Sequence, residues 1–175
     1  MKLSQIVRRF FVPGFVVTLV HLIKSGARVS HKAEVELSPN LTIGSGTTIS
    51  SFCKLKAADG PMAIGTNVAI STNCFIYSGA AGVSIGDDTM LGPGVSVIGG
   101  NYRYDRLDIP IRSQEQVSAG IRIGKDVWIG AGVVVLDGVT IGDGSIIAPN
   151  SVVSSNIPEN RIARGDPAHP LFQRR

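Results

Sequence analysis

The chain has 175 residues with a formal net charge of +4, and only 17% of the residues are charged and 6% aromatic. This length fits one domain with its own core, and the 43% apolar fraction excludes a disordered chain. Two cysteines cannot build a disulfide framework, and no apolar run reaches the roughly 18 residues that a membrane-spanning helix needs. Glycine accounts for 21 residues, which fits regular structure only when the glycines are regularly spaced.

The positive charge lies at the two ends of the chain. Residues 1–28 contain five basic side chains and no acid, and residues 157–175 contain four arginines against Glu159 and Asp166. The middle is slightly acidic and lacks the basic stripe with interleaved aromatic residues that is typical of nucleic-acid-binding surfaces. We therefore expect no nucleic-acid partner.

An apolar stretch at residues 10–23 is too short to span a bilayer and lacks the small-residue cleavage site of a signal peptide. The sequence predicts a short helical segment here, within an N-terminal cap of residues 1–36. Two interpretations stay open. The helix packs on the end of the core or on a partner subunit, or it lies at a membrane surface with Arg8, Arg9 and Lys24 facing anionic lipid.

A six-residue period organises the chain from Leu37 onward. Each aliphatic position is usually followed by a small residue and, four positions on, by another small or β-branched residue. Neither the period of a helix nor that of a single strand explains this pattern, which is that of a repeat array. The aliphatic positions are Leu37, Ile43, Ile49, Leu55, Ile64, Ile70, Ile76, Ile85, Leu91, Val97, Val117, Ile123, Ile129, Val135, Ile141, Ile147 and Val153.

The repeat predicts a prism of short parallel strands. Each hexad supplies one strand with its aliphatic side chain pointing inward, and the small residue after it suits a corner. Three hexads complete one coil, and successive coils stack at the strand spacing of about 4.8 Å. The ends of such a stack need caps. We therefore assign residues 37–158 to an all-β parallel β-helix domain and residues 159–175 to a C-terminal tail.

Three insertions break the period, with two regular hexads between consecutive breaks. This spacing places all three at one edge of the prism, one coil above another, and the third contains a long loop over residues 98–116. Loops on a rigid scaffold carry function, so we place a candidate site at this edge. The gaps run from Leu55 to Ile64, from Ile76 to Ile85 and from Val97 to Val117.

The C-terminal hexads are the most specific part of the sequence. They run from Ile123 to Val153 with Val-Trp-Ile-Gly at 127–130, and Gly-Asp-Pro-Ala follows at 165–168. Through this stretch, residues 37–170 resemble the hexapeptide-repeat acyltransferases, in particular bacterial sugar and polysaccharide O-acetyltransferases. The resemblance implies a left-handed β-helix and a homotrimer. It also implies that acetyl-CoA is the acyl donor, bound in grooves between subunits.

The resemblance further implies which residues contact coenzyme A: the Val-Trp-Ile-Gly motif, small residues along the pantetheine arm, a hydroxyl, and basic residues near the phosphates. Ala131 and Pro149 are 18 positions apart in the sequence, so they stack along one groove. The alternative for Trp128 is a ring that covers apolar surface at a subunit contact. The candidate contacts are Trp128, Gly130, Ala131, Pro149, Ser154, Arg164 and His169.

The long loop departs from the family at one position. It reads Asn-Tyr-Arg-Tyr-Asp at 101–105 and Asp-Ile-Pro-Ile at 108–111, which resembles the family's Asn-His-x-Tyr-Asp and Asp-Ile-Pro-Ile elements. The family's His is the general base that deprotonates the acceptor hydroxyl, and Tyr102 stands at its position. Imidazole, with a pKa near 6.5, accepts a proton at neutral pH, whereas a phenol near 10 is already protonated.

Three accounts of this departure stay open. Another base serves an active transferase, with Asp105, Asp108 or a Tyr102 activated by a neighbouring arginine as candidates. Alternatively, proximity of hydroxyl and thioester gives slow turnover without a base. In the third account the chain is a catalytically silent relative that acts as a binding or structural subunit.

Metal and thiol chemistry fit the sequence poorly. Zinc-dependent relatives of this fold need three converging histidines, whereas His21, His31 and His169 are widely spread, so we expect no metal. Cys53 and Cys74 fall one coil apart at inward positions, where we expect small buried side chains rather than a metal pair or a disulfide.

Together these patterns predict an acetyl-CoA-dependent O-acetyltransferase acting on a sugar hydroxyl, with a role in surface-polysaccharide biosynthesis. Ser71 and Asn73, on the coil below the long loop, are candidates to hydrogen-bond the saccharide acceptor, and satisfied corner side chains are the alternative. We expect a bacterial cytoplasmic protein, with peripheral contact to the inner membrane through residues 1–28 left open.

Overall fold

Short strands joined by turns organise residues 12–174, the part of the chain that this computed structural model describes. Helix α1 spans Gly14–Ser25, and a 3-10 turn spans Ile111–Ser113. The strands are β1 (Arg28–Val29), β2 (Glu34–Val35), β3 (Leu41–Ile43), β4 (Thr48–Ile49), β5 (Lys54–Lys56), β6 (Met62–Ile64), β7 (Ala69–Ile70), β8 (Phe75–Tyr77), β9 (Val83–Ile85), β10 (Met90–Leu91), β11 (Ser96–Ile98), β12 (Asn101–Tyr102), β13 (Gln116–Val117), β14 (Ile121–Ile123), β15 (Trp128–Ile129), β16 (Val134–Val135), β17 (Thr140–Ile141), β18 (Ile146–Ile147), β19 (Val152–Val153), β20 (Arg161–Gly165) and β21 (Ala168–Gln173).

The strands stack into three sheets that form the faces of a prism. Sheet A has the order β1-β4-β7-β10-β15-β18-β20-β21, sheet B the order β19-β16-β11-β8-β5-β2 and sheet C the order β17-β14-β9-β6-β3. Within these three sheets, neighbouring strands are parallel except for the final pair, β20 and β21, and the remaining strands β12 and β13 form a separate antiparallel pair. The chain visits the sheets in the order C, A, B, so each coil turns at a C–A corner, an A–B corner and a B–C corner. This architecture is the left-handed parallel β-helix that the sequence predicts.

The aliphatic residue of each hexad fills the interior of the prism. Ile129 and Ile147, neighbours on adjacent coils of sheet A, are fully buried, and the other hexad positions are also buried apart from two. The prediction for Leu37 is wrong: it is half-buried against the core, and Val35 of β2 takes the inward position, paired with Leu55 of β5. The prediction for Val117 is wrong: its side chain is 40% exposed, because it lies in the long loop and pairs antiparallel with Asn101. The regular pattern resumes in β14.

All three insertions leave the prism at the B–C corner, so the prediction of a shared edge is confirmed. They follow β5, β8 and β11 of sheet B, and the chain returns at β6, β9 and β14 of sheet C. Gly79 shows how closely these loops stack. Its φ of +59° lies in the left-handed region, and a Cβ there would overlap the carbonyl oxygen of Gly99.

The parallel ladder extends into both segments that the sequence assigned to the ends. Strands β1 and β2 pair with β4 and β5, and β20 pairs with β18. Helix α1 packs on β1 and buries Val17 and His21. Residues 1–11 lie outside the described residues, so the lipid-facing interpretation of Arg8 and Arg9 stays a prediction.

The two cysteines are free and buried in the prism, which confirms their predicted inward position. The Sγ of Cys53 donates to the carbonyl oxygen of Ser71 at 2.9 Å, and the Sγ of Cys74 donates to that of Gly92 at 3.3 Å. Each thiol thus satisfies a corner carbonyl of the next coil. Among residues 12–174, no group of three or more His, Cys, Asp or Glu side chains is arranged to hold a metal ion.

Candidate functional site

The long loop forms a hairpin over the B–C corner. Strands β12 and β13 pair antiparallel, and with the two shorter loops beside them they line a cavity of about 210 Å³. Tyr102, at the position of the family's base, lies in β12 and lines this cavity with 37% of its surface exposed. Its neighbours in the lining include Asp59 and Tyr77 from two other coils.

The two carboxylates that the sequence offers as alternative bases, Asp105 and Asp108, are held in ion pairs on the outer part of the loop. Asp105 accepts from Arg103 Nε at 3.2 Å and Nη2 at 3.3 Å, and Asp108 accepts from Arg106 Nε at 3.0 Å. The hydrogen bonds from these arginines lower the pKa of Asp105 and of Asp108. A lower pKa makes a carboxylate a weaker proton acceptor, so these ion pairs work against a base role for either residue.

Two polar side chains fix the course of the loop. The Gln114 side chain is buried, and its amide donates to the carbonyl oxygen of Arg106 at 2.8 Å. Where the loop returns to the prism, the Asp137 carboxylate accepts from the backbone N–H groups of Ala119 at 2.7 Å and Gly120 at 2.9 Å. The hairpin is therefore anchored both within itself and to the coil above it.

Tyr77 projects from sheet B toward the same cavity. The Nζ of Lys56 lies 5.2 Å from the centroid of its ring. Burial raises the pKa of Tyr77, and its interactions with Asp59 and then with Tyr102 raise it further. Tyr77 is therefore protonated at neutral pH, and its hydroxyl can donate to Asp59. Sequence reasoning missed both residues, although Asp59 lies in an insertion at the very edge chosen for the site.

The A–B corner brings together most of the predicted coenzyme A contacts. Ala131 and Pro149 lie on adjacent coils, because Asn150 N donates to the carbonyl oxygen of Ala131 at 2.9 Å. On the next coil, Arg164 and His169 face each other across the β20–β21 hairpin. With Pro149, these two side chains line an open cavity of about 660 Å³.

Ser71 and Asn73 lie at the same A–B corner, two coils below Ala131. Successive coils are about 4.8 Å apart, so the four coil steps from Asn73 to Arg164 span about 19 Å. The exposed residues stacked at this corner from Asn73 to Arg164 form what we call the A–B column. They are mainly small and uncharged, and the column ends in the basic side chains of Arg164 and His169.

The remaining predicted contacts occupy different positions. Gly130 is buried at the A–B corner, and a Cβ there would lie 2.6 Å from Pro149 N, so glycine permits the close stacking of the two coils. Trp128 lies on the outer face of sheet A, beside Met90, with 51% of its surface exposed. Ser154 is exposed at the B–C corner, away from the A–B column.

Sheet B separates the two groups of candidate residues within one chain. Tyr102, Asp59 and Tyr77 lie at the B–C corner, whereas Ala131 and Pro149 lie at the A–B corner. A single copy of the chain therefore does not place the loop against the A–B column.

Comparisons with known proteins agree with this architecture. Residues 120–155 match the family model described as bacterial transferase hexapeptide (six repeats). The galactoside O-acetyltransferase of Escherichia coli is 33% identical over 149 residues, which cover 81% of this chain and 71% of that protein. The chain belongs to the hexapeptide-repeat acetyltransferase family.

Further relatives share most of this chain. The probable acetyltransferase Rv3034c of Mycobacterium tuberculosis is 29% identical over 173 residues, covering 97% of this chain and 57% of its own length. This chain thus spans little more than half of that relative. The hexapeptide-repeat acetyltransferase VCA0836 of Vibrio cholerae, solved with acetyl-CoA, has a TM-score of 0.62 and 25% identity over 98% of this chain and 83% of its own.

Proposed function

We propose that this protein transfers an acetyl group from acetyl-CoA to a hydroxyl of a sugar acceptor. The observation that carries the proposal is the column at the A–B corner, which joins two hydrogen-bonding side chains at one end to two basic side chains at the other. Membership of an acetyltransferase family, the galactoside O-acetyltransferase among the relatives and the acetyl-CoA complex of VCA0836 support it. The role in surface-polysaccharide biosynthesis stays a prediction.

The column fits an extended acyl donor. Arg164 and His169 would hold the nucleotide phosphates, since basic side chains and phosphate oxygens form charge-assisted hydrogen bonds. The small residues Ala131 and Pro149 leave room for the pantetheine arm, and Trp128 flanks it. The thioester would then lie toward Asn73, about 19 Å from the basic end.

We propose further that the complete site forms between subunits of a homotrimer. The A–B and B–C corners flank sheet B, so a three-fold rotation with sheet B facing the axis brings the loop of one subunit to the column of the next. The outer face of sheet B supports this arrangement, because it carries Phe75, Val134 and Val152 in one ladder. Ser154, at the B–C corner, would face the same donor across the interface.

The test is a free-thiol release assay with acetyl-CoA and a panel of sugar acceptors, on the wild type and on Tyr102→His. We expect acceptor-dependent release by the wild-type trimer, with the oligomeric state measured by light scattering. Release by Tyr102→His alone would support the alternative, a catalytically silent relative that binds a ligand or serves as a structural subunit. Calorimetry that detects no binding at millimolar acetyl-CoA would contradict the groove assignment.

Helix α1 supports a proposal of peripheral contact with an anionic membrane surface. Phe15, Leu19, Leu22 and Ile23 follow helical spacing on one exposed face, with Phe15 66% and Ile23 77% exposed. The first acidic residue of the chain is Glu34, so the sequence up to residue 33 carries only basic charges, which favour an anionic surface. Within the described residues, no helix has the length and apolar character needed to cross a bilayer.

Vesicle co-sedimentation tests this contact. We expect binding to phosphatidylglycerol-containing vesicles, weaker binding to phosphatidylcholine alone, and loss of binding in Ile23→Glu. The control is Leu107→Glu, which adds the same charge at another exposed apolar position, on the long loop. Equal binding by wild type and Ile23→Glu would contradict the proposal.

A further inference from the structure

The cavity at the B–C corner holds a carboxylate that none of the sequence candidates includes. Asp59 lies in the first insertion, Tyr77 at the end of β8 in the next coil, and Tyr102 in the hairpin of the coil after that. Three successive coils therefore contribute polar side chains to the same cavity of about 210 Å³.

The contacts of Tyr77 orient this group. The ring packs beside Gly100, where a Cβ would lie 3.4 Å from Tyr77 Cε1, at van der Waals contact. The Nζ of Lys56, 5.2 Å from the ring centroid, lies over its face. Besides burial, the interaction with Asp59 and then that with Tyr102 raise the pKa of Tyr77, and all three side chains line the same cavity. Tyr77 thus lines the cavity together with the carboxylate and the residue at the family's base position.

Asp59 differs from the loop carboxylates in its partner. Asp105 and Asp108 are each bound by a guanidinium group at hydrogen-bond distance. Asp59 interacts with a neutral phenol instead. A neutral phenol can orient a carboxylate without placing a positive charge beside it.

We propose that Asp59 is the general base of the acetyl transfer and that Tyr77 is its positioning residue. This assignment rests on the proposed function. The Asp59 carboxylate takes the proton of the acceptor hydroxyl as the acceptor oxygen attacks the thioester carbonyl carbon. The carbon–sulfur bond then breaks, and the proton passes from Asp59 to the departing thiolate. The products are the acetyl ester and free coenzyme A, and Asp59 returns to its ionised form.

The closing experiment measures kcat, acetyl-CoA affinity and tyrosinate titration in Asp59→Asn. Loss of a general base lowers the rate about 10²- to 10⁴-fold, so we expect kcat to fall at least about a hundredfold while acetyl-CoA affinity is unchanged. The control is Asp88→Asn, which removes the same charge at the C–A corner, where the left-handed backbone also suits Asn. In Asp59→Asn, one tyrosine is expected to titrate at lower pH, because Asp59 raises the pKa of Tyr77.

Tyr77→Phe tests the positioning role separately. We expect a smaller fall in kcat than in Asp59→Asn, with the KM for the acceptor unchanged, a split that a merely structural role would not produce. If Asp59→Asn keeps kcat within about threefold of an active wild type, far short of the loss of a base, the assignment is wrong and the proposed function stands. A wild type that transfers to no acceptor would overturn both.

Discussion

The A–B and B–C corners are built from the same repeat and differ in regularity. At the A–B corner every described coil keeps the same number of residues, so Ala131 and Pro149 stack directly. At the B–C corner the connection differs in length from coil to coil, and side chains from different coils meet in one cavity. The regular corner suits an extended molecule of fixed length, whereas the irregular corner suits a compact group of variable shape. This difference supports the proposal that the A–B corner binds the acyl donor and the B–C corner binds the acceptor.

The largest expected difference is in stability, between truncating an aliphatic residue inside the coils and truncating one in the hairpin. Ile129→Ala removes a fully buried side chain between coils, so we expect the free energy of unfolding to fall by about 2–5 kcal/mol. Val117→Ala alters a 40% exposed residue of the hairpin and should cost less than about 1 kcal/mol. Chemical denaturation measures both. Similar losses for the two variants would contradict the distinction between core and loop.

Removal of a positive charge at the basic end of the A–B column should weaken the binding of acetyl-CoA. Arg164→Ala takes away a phosphate partner, and we expect acetyl-CoA affinity to fall about tenfold, which corresponds to about 1.4 kcal/mol. The matched control is Arg122→Ala on the outer face of sheet C, remote from the column. Calorimetry at two salt concentrations should show a smaller salt dependence for Arg164→Ala only. An unchanged affinity would remove Arg164 from the groove.

Release of the loop should disturb the irregular corner alone. Asp137→Ala removes an acceptor from two backbone N–H groups, so we expect about 1 kcal/mol less stability and faster hydrogen exchange at Ala119 and Gly120. Asp143→Ala, which loses one comparable bond to Lys125 N, is the control. Acetyl transfer should fall in the first variant and persist in the second. If hydrogen exchange at Ala119 and Gly120 is equally slow in the two variants, the Asp137 carboxylate does not anchor the loop.

The smallest expected effect concerns the N-terminal helix. Burial, with a contribution from Lys24, lowers the pKa of His21 below its usual 6.5. The unfolded chain therefore binds the proton more readily, and His21 contributes stability above pH 6.5 that is lost as the pH falls through its folded value. Thermal unfolding should show a steeper loss of Tm between pH 7.5 and 5.5 for wild type than for His21→Leu. Parallel profiles would contradict this role.

The sequence predicts the coil well because the hexad is a local rule repeated many times. A buried residue such as Ile147 and a corner residue such as Pro149 can be placed from spacing alone. The prediction for Val117 is wrong because the sequence pattern does not distinguish an aliphatic residue in a hairpin from one at the same interval in a coil. The period carries no information once the chain leaves the prism.

The sequence pattern does not predict that Asp59 and Tyr77 share a cavity, for a related reason. The two residues belong to different coils, and only the shared corner brings their side chains together. Spacing predicted the shared corner but not which side chains of the short loops turn inward. The ion pairs of Asp105 and Asp108 likewise depend on how the hairpin folds, which no periodic pattern describes.

Gly79 and Gly99 show what the stacking of the insertions means for the evolution of such a protein. Because the loops touch one another through backbone atoms, a longer or shorter loop on one coil must be accommodated by the loops above and below it. Changes of acceptor are therefore expected to require coordinated changes on several coils. At the A–B corner, in contrast, the distance between successive residues is set by the spacing of the coils. This corner can therefore stay constant while the loops at the B–C corner change.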